Sequence, residues 1–267
     1  MNPILRFENV TLRYDETDVL KRISLSIAEG EHCVLLGPNG SGKSSLIKLI
    51  SCELYPSVTP EPHVREIMGN ERWEVAQLRR NFGIVTNDLH NRFAFEGGHL
   101  SAYEAVMSGF FGTLGLFEHQ QIDPAFDPAV KTAMERVGIA HLIRKRLGEM
   151  STGELRRCLV ARALVHPVRA ILLDEPTVGL DIKAQSEFIE MMRALSREGT
   201  TVILVTHHIE EVFEEISKAV LLKEGSIVAQ GSKHDVLNAK NLSETFGMAL
   251  EVIRRGERYT VLAQGDG

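Results

Sequence analysis

Cysteine is scarce in this chain. The three present, Cys33, Cys52 and Cys158, are odd in number and lie far apart. That excludes a disulfide-built secreted scaffold and leaves no metal-ligand spacing. The thiols are expected to be reduced, in or near the core of a cytosolic protein. Long apolar runs are also missing: none approaches the roughly 20 residues that cross a bilayer. Any work at a membrane would therefore need another polypeptide to make the crossing. The opening MNPILRFENV has no basic-then-apolar order of a signal peptide. A basic excess is absent too, since 30 Lys and Arg against 36 Asp and Glu leave a net charge of -6. That balance speaks against a nucleic-acid partner. Internal repeats and low-complexity tracts are missing as well. The 267 residues suffice for one α/β domain with a full core and room for a subdomain.

Residues 4–7, 10–14 and 22–37 alternate as strands do, with Glu29-Gly30 read as a hairpin turn inside the last run. The strand that ends at Gly37 leads into SSLIKLISCEL, which has helical spacing. NFGIVTN (81–87) is a short apolar run of strand type. From about residue 89 helical pieces are punctuated by EGG, FFGTLG and IDPAFDP, the pattern of an inserted helical subdomain. Strand and helix then alternate through AILLDE, AQSEFIEMMRALSREG, TVILVTH, IEEVFEEIS and AVLLKEGSIVAQG. Alternation of this kind predicts a mostly parallel sheet covered by helices.

Residues Gly37, Pro38, Asn39, Gly40, Ser41, Gly42, Lys43 and Ser44, followed by Ser45, match G-x-x-x-x-G-K-[ST]. The glycines permit a tight turn whose backbone N–H groups close around phosphate oxygens. A helix starting near Lys43 turns its positive end toward the same anion. Lys43 adds a mobile positive charge, and the Ser44 hydroxyl is a hard ligand for Mg²⁺. AILLDEP (170–176) is an apolar strand ending in two acids, and in α/β sheets such ends border ligand crevices. Asp174 is expected in the Mg²⁺ shell and Glu175 where water attacks a terminal phosphate.

With these elements the chain resembles the ATP-binding-cassette (ABC) ATPases over residues 4 to 235. RYDETDVL places Tyr14 where that family stacks a ring on adenine, and FGIVTND occupies the glutamine-loop position. MSTGELRR resembles the signature motif, with Ser151, Thr152, Gly153 and Glu154 at a helix start suited to anions. VGLD puts Asp181 in the family's D-loop. LVTHH sets His207 at the switch position, where it would hold attacking water with Glu175, while His208 is expected to point away. The resemblance implies an α/β P-loop core with a mostly parallel sheet, an antiparallel β subdomain and an inserted helical subdomain. An ABC domain would span 1–240, with core and β subdomain in 1–88 and 155–240, the helical subdomain with the signature in 89–154, and a C-terminal extension in 241–267. It also implies ATP and Mg²⁺ as ligands. Two ATP molecules would be sandwiched in a head-to-tail homodimer, or a dimer with another ABC ATPase.

Two departures stand out. Asn87 occupies the place of the usual glutamine, one methylene shorter, as a metal-shell residue. Thr152 and Glu154 replace the usual glycine and glutamine of the signature. The wording of the signature and of SGFFGTLGLF, with the 241–267 tail, is similar to molybdate-associated and iron-chelate-importer branches. Two outputs stay open from the residues. One is ATP-driven transport of a small oxyanion or metal chelate through a separate permease, with the chain cytoplasmic or peripheral at the inner face of the membrane. The other is a soluble ATPase with a regulatory or repair-type role.

Overall fold

The computed structural model of the chain describes residues 3–263 and begins with two long strands, β1 (Pro3–Tyr14) and β2 (Thr17–Ala28). In β2, Ile23, Leu25 and Ile27 are buried while Ser24 and Ser26 are exposed, the period of two that puts one face on a core. Next come β3 (Cys33–Leu36), α1 (Lys43–Ile50) and β4 (Val64–Ile67). β1 pairs antiparallel with β2 on one side and β4 on the other, which makes the small antiparallel sheet. The chain divides into two units, Met1–Val75 with Thr201–Gly267, and Ala76–Thr200.

The second unit is mainly helical. Its elements are α2 (Val75–Asn81, its first residue in the first unit), β5 (Phe82–Val85), α3 (Asn87–Phe95), α4 (Ala102–Met107) and α5 (Phe126–Arg136). They are followed by α6 (Thr152–Ala163), β6 (Ala170–Asp174) and α7 (Ile182–Arg197). β5 and β6 pair in parallel. Phe93 is fully buried in α3, and Arg162 of α6 lies over its ring at 5.2 Å. Phe95, two residues on, is 87% exposed.

The first unit resumes with β7 (Thr201–Thr206), β8 (Lys218–Lys223), β9 (Ser226–Ser232), α8 (Lys233–Val236), α9 (Ala239–Phe246), β10 (Leu250–Arg255) and β11 (Arg258–Ala263). β3 lies between β7 and β8, parallel to both, and all of β3 and β7 is buried. Strands covered on both faces need unbroken apolar runs, which CVLL and TVILVT provide. Each buried Val, Leu or Ile there contributes roughly 1.5–3 kcal/mol relative to an exposed one. β8 and β9, like β10 and β11, form antiparallel hairpins. The last hairpin is tied down by the buried Lys233 ammonium, which pairs with Glu257 at 2.8 Å and donates to the Glu214 carbonyl at 2.7 Å. His234 and the Tyr259 hydroxyl share a further 2.7 Å hydrogen bond. Residues 264–267 of the expected 241–267 extension lie outside the described residues.

Two expectations of local structure give way here. Glu29-Gly30 is not a hairpin turn, because β2 belongs to the antiparallel sheet and β3 pairs with β7 and β8. The Gly30 N–H is taken by the Thr201 hydroxyl at 2.9 Å. IEEVFEEIS forms no α-helix. Only a 3-10 turn at Ile209–Glu211 is present: Ile209, Val212, Phe213 and Ile216 keep the spacing of one helix face, but Glu211, which that helix would turn to the opposite side, is fully buried as well. All three cysteines are free and buried, and burial pushes the Cys158 thiol up to about 12.

Candidate functional site

In the first unit β3 delivers the chain to Gly37, and the phosphate-loop pattern becomes a tight turn running into α1. A Cβ at Gly37 would stand 2.2 Å from the Leu222 carbonyl oxygen and 2.7 Å from the Ser41 hydroxyl, so only glycine fits. Gly42 is the N-cap of α1 at φ 105, a conformation that side chains resist. Asn39 and Gly40 are exposed at the tip, Pro38 is half-buried, Ser44 is exposed and Ser45 half-buried. Lys43 is 8% exposed, and its ammonium donates to the Gly37 carbonyl at 2.7 Å and the Pro38 carbonyl at 3.1 Å. The charge is thereby folded onto the loop that would hold a phosphate.

The Ser41 hydroxyl is buried with no hydrogen-bond partner among the described residues. A buried donor without a partner is costly. Together with the open N–H groups at the start of α1, it fits an anionic ligand. At the far end of α1 the Arg65 guanidinium donates twice to the Leu49 carbonyl, at 2.9 and 2.5 Å, and once to the Glu71 carbonyl at 3.0 Å.

Two more first-unit residues were expected at a site. Tyr14 ends β1, paired with Thr17 and 43% exposed, so its ring is accessible for stacking. His207 follows β7 directly and is half-buried. His208 does not turn away from it: the two rings lie 3.9 Å apart between centroids. The reason is local, since the His208 N–H donates to the Thr206 hydroxyl at 3.0 Å and folds the chain back at the strand end.

The second unit holds the acids and the signature. Apolar β6 buries Ala170 to Leu173 and releases Asp174, half-buried, at its end. Glu175 is 8% exposed and sits at φ 47, which costs a non-glycine residue roughly 1–2 kcal/mol. Ser151 is the N-cap of α6 in a complete capping box: its hydroxyl accepts from the Glu154 N–H, and the Glu154 carboxylate accepts from the Ser151 N–H at 2.8 Å. Lys145 adds an ion pair to Glu154 at 2.8 Å. Burial opposes the charged form of Glu154, yet Lys145 and the Ser151 N–H outweigh it and hold the carboxyl below its ordinary range. Thr152 is exposed and Gly153 half-buried. Asp181 caps α7 by accepting from the Ala184 N–H at 2.8 Å, with Val178 and Ile182 exposed beside it. Asn87 is the first residue of α3, after the Thr86 cap.

One residue of this unit escaped the sequence reading. Arg156, 7% exposed on α6, donates to the Glu175 carbonyl at 2.7 Å, the Val178 carbonyl at 2.9 Å and the Asn87 Oδ1 at 3.3 Å. The signal was the doubled arginine after the signature, one of which must face inward on a helix. Half-buried His90, one turn beyond Asn87, is kept below its ordinary pKa by burial and then by the Arg156 charge.

A phosphate loop, a strand-end acid pair and a capped signature helix define the class of nucleoside triphosphate hydrolases with a P-loop. The ABC transporter family pattern matches residues 20–178. The uncharacterized ABC transporter ATP-binding protein YmeB of Lactococcus lactis is 30% identical over 97% of this chain and 98% of its own length. The ferric enterobactin transport ATP-binding protein FepC of Escherichia coli is 29% identical, over 93% of this chain and 89% of its own. Among solved structures, CbiO1 of Clostridium perfringens, part of an ABC transporter complex, superposes with a TM-score of 0.76. It is 30% identical and the match covers 91% and 94% of the two chains. The chain belongs to the ABC transporter family and is an ATP-binding ATPase, with the expected P-loop α/β fold, antiparallel β part and helical part.

Proposed function

We propose that the chain hydrolyses ATP as one half of a head-to-tail dimer and drives a permease that moves a metal chelate or small oxyanion. The observation that carries the dimer is the presence of two separate helix starts prepared for anions. One, at Gly42 and Lys43, already belongs to the phosphate loop. The other, at Ser151, stands in a different unit with Thr152 exposed and Gly153 half-buried in its first turn. A chain needs a second such start if it faces the nucleotide of another copy.

In this reading Tyr14 stacks on adenine, and residues 37–45 wrap the phosphates with Lys43 as their counter-charge. Glu175 takes a proton from the attacking water, and His207 holds that water and the terminal phosphate. Ser44, Asn87 and Asp174 offer the hard oxygens that suit Mg²⁺, which when bound neutralises phosphate charge. Ser151, Thr152, Gly153 and Glu154 contact the partner copy's nucleotide, and Asp181 signals across the dimer. Phe95, 87% exposed on the helix that Asn87 begins, supports a partner surface there. Likeness to a ferric enterobactin transport subunit supports a metal chelate as the cargo class. Among the described residues no helix is long and apolar enough to cross a membrane; in this reading the permease is a separate chain and this one sits peripherally on it.

Glu175→Gln tests the reading. Loss of the base is expected to slow turnover by about 10²–10⁴-fold, while ATP-bound protein becomes dimeric in light scattering. Normal turnover would remove Glu175 from its role, and a monomer at every protein concentration would remove the sandwich.

A further inference from the structure

We infer that Arg156 is a positioning residue that locks the Asn87 side chain and the Glu175 backbone into one unit. The inference rests on the reading of Glu175 as the base. The guanidinium has five donors in a rigid plane, and here it reaches three oxygens from two separate segments: Asn87 Oδ1, the Glu175 carbonyl and the Val178 carbonyl. Taking a guanidinium out of water is expensive, so the arrangement demands a purpose beyond surface solubility.

The Glu175 backbone supplies one. Its φ of 47 is a conformation that persists only where the surroundings over-determine it. Arg156 does this twice over, clamping the carbonyl of Glu175 and the carbonyl three residues on. The Val178 N–H closes the same turn on the Glu175 carbonyl at 3.4 Å. The third arm then carries the position of that turn to α3, 69 residues away in sequence from α6. A carbonyl oxygen has two lone pairs. The guanidinium takes one on Asn87 and fixes the direction of the other. A shift of α3 at Asn87 therefore moves the guanidinium, and with it the backbone that aims the Glu175 carboxylate. The shorter amide at position 87 is the member of this linkage whose length sets its register.

Arg156→Lys keeps the charge but replaces the planar fork by a point donor that cannot serve three acceptors. Expected is a fall in kcat of about 10²-fold, the cost of misplacing a catalytic group by about an ångström. KM for ATP should stay near wild type, because the phosphate loop is untouched, while the melting temperature falls as buried carbonyls lose their donors. Asn87→Ala, which leaves Arg156 in place, should speed amide hydrogen exchange in residues 175–182, and it should speed that exchange no further in the Arg156→Lys background. Unchanged kcat in Arg156→Lys, or exchange at 175–182 that rises further in the double variant than in Arg156→Lys, would overturn the linkage. A lowered melting temperature with full turnover per folded molecule would reduce Arg156 to a structural residue and overturn it too. If Arg156→Lys does not fold, the exchange experiment decides alone: no change at 175–182 in Asn87→Ala refutes the proposal. Glu175→Gln is measured alongside. Normal turnover there would defeat the reading of the base, whereas its loss together with an unaffected Arg156→Lys would defeat only the linkage.

Discussion

Replacing Gly37 by alanine adds a single methyl group at the most confined point of the phosphate loop. The new Cβ would stand 2.2 Å from the Leu222 carbonyl oxygen in β8, where an ordinary contact begins at 3.4 Å. Relieving it displaces one of two backbones by about 1.2 Å, and a shift near 1 Å at a reacting centre costs about 10²-fold in rate. Neither backbone yields easily, because β3 and β8 are buried and paired residue by residue from Cys33 to Leu36. Overpacking of this kind destabilises by about 1–3 kcal/mol, and each kcal/mol lowers the melting temperature by roughly 2–4 °C at this chain length. Gly40→Ala is the comparison, since a Cβ there meets nothing within 4 Å and only φ 78 opposes it. Its expected cost is about 1 kcal/mol. Thermal unfolding and ATP turnover are measured on both variants. If Gly37→Ala melted with the wild-type protein and turned over ATP at its rate, the steric account of the loop would be wrong.

Ser151→Ala removes one half of the capping box, and about 1 kcal/mol of stability should go with it. Ser151→Thr should restore most of that loss in the same melting assay. At the other end of the chain, the Lys233 ammonium holds the Glu257 carboxyl below its ordinary 4.5; burial opposes the shift and the Arg254 guanidinium adds to it. A depressed carboxyl stabilises the fold fully above 4.5, and the contribution fades as pH falls through its lower folded value. Hydrogen-exchange protection of β10 and β11 should therefore drop in acid, and Glu257→Gln should flatten that dependence. Equal acid sensitivity in the two proteins would place the titrating group elsewhere.

What was readable in the sequence was whatever depends on near neighbours in the chain. The phosphate loop announces itself because its glycines, lysine and serine all act within eight residues. CVLL and TVILVT read as buried strands because both faces must be apolar. The misreadings have a common cause in distant partners. Gly30 looks like a hairpin glycine until the Thr201 hydroxyl, 171 residues away, takes its N–H. IEEVFEEIS has the apolar spacing of a helix, yet Glu211, which that helix would expose, is fully buried, and the weak local preference gives way. Arg156 could be seen as a residue but not as a junction, because its acceptors come from segments 19, 22 and 69 positions off. Phe93 and Phe95 differ only in which side of α3 they occupy, and composition is silent on that.

The strap of Arg65 on Leu49 gives the antiparallel sheet a mechanical part. An anion gripped at the head of α1 pulls on an eight-residue rod, and a rod fastened at one end only would slide. Arg65 fastens the other end, and it does so from β4, whose own backbone is laced to Phe7 and its neighbours in β1. Tension on the phosphate loop therefore travels down the helix and is grounded in β1 and β4. α1 is a tie rod, and the small sheet is the wall to which it is bolted.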